Sequence, residues 1–348
     1  MNGVPRQIAD LIAAGSDVVV SVSGGKDSTA TALLLKELGV SCEYVFCDTG
    51  WEHADTYRYI HEVLTPRLGS IRVLRHDHQW PKTVRLPLLR AATNDAAEIL
   101  RAETELAAAF TPLMEQAAQE VESILGWRSD FVRMAISETV FPSRNQRWCT
   151  RFLKFKPVKS YLQSKENPVN VVGIRREESR ARSQAEEVEF ADDMDAWVWR
   201  PIVSWSLDDV IACHKKHGIA PSPLYLQGAS RVGCYPCIFA RKEELSSLGD
   251  TRVRAIQLLE QHVSWFAAER ARRAGKPPPK GGSTMFYESK SDESWPIKKV
   301  MEWAKTSYGG RQFQLFAASP ADAGCMRWGL CETSGGSQVD VDPTGQAG

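Results

Sequence analysis

The spacing of apolar and polar residues changes period several times along the chain, and each change marks an element. Residues 5–14 carry a helical period. Val18 to Val22 is short, continuous and β-branched, the pattern of a strand buried on both faces. Thr29 to Leu38 has helical composition and stops at Gly39, a C-cap residue. Glu43 to Cys47 predicts a second strand, ending in Asp48-Thr49-Gly50. Ala54 to Leu64 predicts the next helix, and Ile71 to Leu74 a third strand. This βαβαβ rhythm implies an α/β fold built on a doubly wound parallel sheet, with ligands at the carboxyl ends of its strands.

Residues 85–126 break that rhythm. They are rich in alanine and glutamate at helical spacing and are interrupted near Pro112, which predicts an inserted helical pair. Asn170 to Ile174 returns to a strand. Trp197 to Val203 predicts another, placed at a sheet edge by Pro201. Ser206 caps a helix running through His217, with acids in its first turn, and Arg254 to Arg273 is a further helix. Residues 274–283 read as a loop. The expected organisation is a nucleotide-binding domain over 1–240 with the insertion at about 85–126. A helical, cysteine-bearing lobe over 241–335 and a disordered tail over 336–348 would follow.

The chain of 348 residues is 43% hydrophobic, enough for one large domain and a smaller lobe. Lys+Arg and Asp+Glu both count 43, which excludes a wholly basic coat for nucleic acid but not a local basic face. No apolar run reaches the ~18 residues of a membrane span, and the N-terminus carries no secretory or lipidation pattern. A cytoplasmic, reducing setting is therefore expected. There the eight cysteines suit metal binding or thiol chemistry better than disulfides.

Between the first strand and helix stands Ser23-Gly24-Gly25-Lys26-Asp27-Ser28. The loop opens onto a helix N-terminus, which favours anions, and its glycines let backbone approach a phosphate. Lys26 adds a point charge, Ser23 and Ser28 add hydroxyls, and Asp27 can orient Lys26 or help hold Mg²⁺. The spacing is not that of a Walker A loop. Cys234-Tyr-Pro-Cys237, with single cysteines at 149, 325 and 331, allows an iron–sulfur site, a zinc site or a redox dithiol. Cys42, Cys47 and Cys213 read as small buried hydrophobes. Two basic groups stand out: Arg147, Arg151, Lys154, Lys156 and Lys159, then Arg175, Arg176, Arg180 and Arg182. Each group is a candidate for phosphate contacts at strand ends. Trp197, Trp199, Trp205 and Trp328 read mainly as core residues, with stacking on a base as the alternative.

SGGKDS resembles the PP-loop of the ATP pyrophosphatases, which cleave ATP between its α and β phosphates. With FCDTGWEHADTYRYI, WCTRFLKFKP, GIRREESRARS, WRPIVSWSLDDV and PSPLYLQGASRVGCYPC, in that order over about 18–240, the chain resembles the phosphoadenosine-phosphosulfate reductase superfamily. The resemblance implies an adenine nucleotide α-hydrolase-like fold. It also implies a [4Fe–4S] cluster on Cys149, Cys234, Cys237 and a fourth cysteine, Cys331 or alternatively Cys325. Two departures bear on activity. The cluster-bearing reductases have a Cys-Cys pair where this chain has Trp148-Cys149, and they end in a cysteine-bearing tail that DVDPTGQAG does not match. The intact loop points instead to the sulfurtransferase branch, similar to the DNA phosphorothioation proteins of the DndC type and phage-encoded relatives.

The reading is therefore ATP-dependent activation of a substrate for sulfur transfer, with nucleic acid as the expected acceptor and a cysteine desulfurase as the possible donor. Lys26, Asp27 and Asp48 are the candidate catalytic residues. Ser21, Ser23, Gly24, Gly25, Ser28, Gly173 and Arg175 join them in holding ATP and Mg²⁺. Arg151, Lys154, Lys156, Arg176 and Arg180 are the candidate substrate contacts. A reductase of adenylyl sulfate or its 3′-phosphorylated form, and a non-catalytic nucleotide sensor or DNA-binding partner, are the alternatives.

Overall fold

The computed structural model describes residues 3–84, 87–287 and 294–306. Cys325, Trp328, Cys331 and the 336–348 tail lie outside them. Along the chain run helix α1 (Arg6–Ala13), strand β1 (Val18–Ser21), α2 (Lys26–Glu37), β2 (Glu43–Asp48), α3 (Ala54–Arg58), α4 (Thr65–Leu68) and β3 (Ile71–Arg75). Then come α5 (Pro87–Ala92), α6 (Ala96–Leu125), α7 (Asp130–Glu138), α8 (Trp148–Thr150), α9 (Lys156–Leu162), β4 (Val169–Val171), β5 (Val188–Ala191) and β6 (Ala196–Trp199). Last are α10 (Leu207–Lys216), α11 (Pro223–Leu226), α12 (Lys242–Ser246), α13 (Asp250–Arg273) and α14 (Ile297–Ala304).

Six strands form one sheet in the order β3-β2-β1-β4-β6-β5, parallel except for β5. The doubly wound parallel sheet expected from the apolar runs is present. Its chain order reverses between β1 and β4, where Val18 pairs with Val169 and Val20 with Val171. The carboxyl ends of strands at such a reversal are the usual ligand site of these sheets. One face of the sheet packs Val18, Val20, Phe46, Val171 and Trp199 under α1 and α2. The other packs Val19, Val45 and Ala196 against Val158 and Leu162 of α9.

Two expectations are corrected. The insertion is not a helical pair broken at Pro112: α6 runs unbroken through it for 30 residues. Proline removes one backbone hydrogen bond and costs ~3 kcal/mol in a helix interior. The buried face of α6, including Leu106, Phe110, Met114, Ala118 and Val121, offsets that, and the Thr111 hydroxyl donates to the Ala107 carbonyl at 2.9 Å. The Trp197 strand is not an edge: β6 lies between β4 and β5. It stops at Trp199, so Pro201 falls in the turn beyond and takes no ladder position.

The expected Ser206 cap is formed, with its hydroxyl accepting from Asp209 N at 3.2 Å. Helices of the insertion and of the C-terminal part share one core: α6, α7, α13 and α14 enclose Phe131, Ile136, Ile256, Leu259 and Val263 together with Trp51 and Trp148. Among the described residues no helix is long and apolar enough to cross a membrane.

Candidate functional site

The loop between β1 and α2 sits at the reversal point of the sheet. Gly24 has φ +72°, a conformation that disfavours any side chain, and an added Cβ would stand 3.3 Å from Thr56 Cγ2. The Ser28 hydroxyl folds the loop inward, accepting from Ser23 N at 3.1 Å and donating to Gly25 O at 3.0 Å. Lys26 N donates to the Tyr225 hydroxyl at 3.1 Å, while Lys26 Nζ stands 5.1 Å from the centre of the Tyr225 ring. Nε2 of His214, on α10, lies 2.9 Å from the Lys26 carbonyl oxygen. Three separate elements thus pin the loop backbone.

Asp27 is buried and acts on neighbours. One oxygen is 3.2 Å from Lys26 Nζ, and the other accepts from Arg175 Nε at 2.5 Å. Arg175 also pairs with Glu177, and its own buried guanidinium does not line the cavity described below. Gly173, two residues earlier, is forced by space. A Cβ there would lie 2.6 Å from Thr31 Oγ1, 2.7 Å from Asp27 O and 2.8 Å from Ser28 Cα, so the exit of β4 presses on the first turn of α2.

These parts line a cavity of about 710 Å³. Ser23, Gly25, Lys26, Asp27, Ser28 and Gly173 lie on one side, with Cys149, Lys154, Cys234 and Cys237 on another. Cys149, Cys234 and Cys237, far apart in sequence, all line this cavity. Burial pushes the Cys234 thiol up to about 11, opposed by the nearby Lys154 ammonium. Lys154 is in turn held well above the ordinary lysine range, first by Cys234 and then by Glu52 and Cys47. Among the described residues no three His, Cys, Asp or Glu side chains stand close enough together to hold a metal ion.

Other candidates fall elsewhere. Asp48 does not line the cavity: it is buried, accepts from Gly50 N at 2.8 Å and the Tyr57 hydroxyl at 2.7 Å, and meets Arg75 at 2.7 Å. It shapes the turn that follows β2. Ser21 ends β1 in register with Val45, away from the lining. Arg151, Lys156 and Arg180 are exposed and off the wall, and Arg176 is spent on the Ala185 carbonyl at 2.9 Å. Of the basic candidates for substrate contact, Lys154 alone lines the cavity, where Arg147, Arg182 and Arg231 join it. Tyr225 and His53 were not singled out from sequence. Their place in the lining depends on long-range packing, which leaves no periodic signal.

A glycine-rich loop leading into a helix at the reversal of a parallel sheet, facing a large cavity, is the plan of a nucleotide-binding α/β fold. The phosphoadenosine phosphosulfate reductase domain profile matches residues 17–85 and 84–240, and the chain belongs to that family. It is 33% identical over 338 residues to the uncharacterised 37.8 kDa protein in the gpa 5′ region of Escherichia phage 186, covering 90% of this chain and 96% of that one. It is 22% identical over 240 residues to an adenosine 5′-phosphosulfate reductase of Oceanobacillus iheyensis, covering 68% and 76%. Among solved structures, a phosphoadenylyl-sulfate reductase of Candida auris in a phosphate complex matches with a TM-score of 0.40 and 10% identity, over 66% of this chain and 87% of that one.

Proposed function

We propose that the cavity binds Mg-ATP on the 23–28 loop and activates an acceptor oxygen for sulfur transfer. The observation that carries this reading is the complete Ser23–Ser28 loop, pinned at the sheet reversal and sharing its cavity with Lys154 and three cysteines. The acceptor oxygen attacks the α-phosphorus, the bond to the bridging oxygen breaks, and pyrophosphate leaves. Lys26, aligned by Asp27, stabilises the charge that gathers on the leaving group. Magnesium, carried in on the phosphates, would neutralise part of the same charge. A donor persulfide, as a cysteine desulfurase supplies, then displaces AMP. Reduction of the resulting sulfur–sulfur bond by a thiol leaves one sulfur on the acceptor. A nucleic acid is the acceptor class we favour, because Arg147, Arg182 and Arg231 line the cavity.

Cys149, Cys234 and Cys237 offer soft sulfur ligands on the same cavity wall as the Lys154 ammonium, donor chemistry that suits a [4Fe–4S] cluster, although the described residues alone make no three-ligand group. They would hold it with Cys331, or alternatively Cys325, from outside the described residues. Bound there, the cluster would supply electron transfer. Lys154 would hold a countercharge beside it and keep the wall polar.

The test is exchange of labelled pyrophosphate into ATP by anaerobically purified protein. Lys26→Ala should abolish exchange while leaving the urea unfolding midpoint in place, and about four irons and four sulfides per chain should accompany the active protein. A second reading, reduction of adenylyl sulfate, is favoured by the name of the Oceanobacillus relative. It predicts sulfite release with thioredoxin and no exchange. That result, or stoichiometric zinc without sulfide, would overturn the corresponding part of the proposal.

A further inference from the structure

His53 is the last residue before α3 and lines the same cavity as the phosphate loop. Its side chain is 25% exposed. Its Nδ1 accepts the backbone N–H of Asp55 at 3.0 Å and so serves as the helix N-cap. An imidazole nitrogen that accepts an N–H carries no proton of its own, so the neutral ring must carry its proton on Nε2. Nε2 has no hydrogen-bond partner among the described residues, and it is not one of the sealed, unpartnered buried atoms. The ring is braced edge-on against Tyr235, at 4.5 Å between centres and 88° between planes. Thr56, at the start of the same helix, packs against Gly24 of the loop.

We propose that His53 is a neutral hydrogen-bond donor, fixed as its Nε2–H form by its own cap, that binds a phosphate oxygen of the nucleotide. This rests on the nucleotide reading of the cavity. The surroundings agree with a neutral ring. Burial holds its pKa below the ordinary histidine value, Arg252 of α13 and Arg58 of α3 push the same way, and Asp55 opposes them. His53 is not a base here: to accept a proton at Nε2 the ring would have to surrender the cap. Its role is a fixed donor aimed where negative charge grows, as a neutral imidazole can be.

The two ring nitrogens can be separated by substitution. In His53→Asn the side-chain oxygen can keep the cap, which Asn serves well, but nothing reaches the place of Nε2. In His53→Gln the amide N–H reaches that place, but the cap is lost. Calorimetry with Mg-ATP and with pyrophosphate should show binding by H53N roughly ten- to hundredfold weaker than wild type, with an unchanged unfolding midpoint. H53Q should regain most of the affinity while unfolding at lower urea. Nitrogen-15 histidine spectra of the free protein should assign the Nε2–H form to His53, and its signal should move on adding pyrophosphate. Wild-type affinity in H53N, or an Nδ1–H assignment, would overturn the role of His53 alone. Absence of any Mg-ATP or pyrophosphate binding by the wild-type protein would overturn the nucleotide reading and this donor with it.

Discussion

Gly173→Ala tests whether the site depends on the close contact between the exit of β4 and the first turn of α2. The added methyl would stand 2.6 to 2.8 Å from Thr31 Oγ1, Asp27 O and Ser28 Cα, two of which are backbone atoms. Ordinary contact begins near 3.4 Å, so the two segments must part by about 0.7 Å. Overpacking of this kind costs about 1–3 kcal/mol. The same displacement carries Arg175, two residues on, away from Asp27, and stretches their 2.5 Å ion pair by about 0.7 Å, to the far end of the hydrogen-bond range. Asp27 is then held less firmly and aims Lys26 less well. A misplacement approaching 1 Å in an active site lowers turnover by up to ~10²-fold. Urea unfolding and pyrophosphate exchange, measured on the same preparation, should both fall. Thr31→Ala added to Gly173→Ala should rescue little, because the backbone contacts remain. Wild-type stability and exchange in Gly173→Ala would refute the account.

Two further predictions concern the helical layer. Glu260 is buried on α13 and accepts from Met285 N at 3.1 Å and Ile297 N at 2.9 Å, yet burial still raises it from 4.5 to about 7. A carboxyl raised in the folded state contributes stability that is full below 4.5 and lost as pH rises through 7. The stability of wild type relative to Glu260→Gln should therefore decline by about 3 kcal/mol between pH 4.5 and 8 in urea titrations, and a flat difference would contradict it. Arg133 joins α7 to Glu115 and Glu122 of α6, each at 2.9 Å, so Arg133→Met should cost about 3–5 kcal/mol by leaving Glu122 buried without its partner. Adding Glu122→Gln should recover part of that loss, and no recovery in the double variant would place the damage in packing instead.

The 23–28 turn and the sheet around it were legible because local chemistry determines them. A β-branched run, two glycines and a helical run can be read within twenty residues. That Cys149 shares a cavity with Cys234 and Cys237 was suggested by the resemblance, not by spacing, since nothing local links positions 149 and 234. Asp48 was placed correctly at a strand end, but the competition for its oxygens by Arg75 and Tyr57 arises from residues that sequence alone does not bring together. Pro112 misled for the opposite reason. A local rule against proline in helices was overridden by a long buried face that only the folded lobe supplies. The basic clusters divided in the same way: of Arg151, Lys154 and Lys156, only Lys154 lines the cavity.

Arg252 of α13 lies buried against Trp51, with its guanidinium carbon 4.5 Å from that ring's centre, and donates to the Glu52 carbonyl at 3.1 Å. Trp51 in turn donates from its indole to the Pro236 carbonyl between the two CxxC cysteines, at 3.2 Å. A residue about 200 positions downstream of the Asp48 turn therefore clamps the scaffold on which the thiol wall is hung. During synthesis the 23–28 loop emerges long before α13, so the wall that carries Cys234 and Cys237 gains its Arg252 brace only after most of the chain has been made.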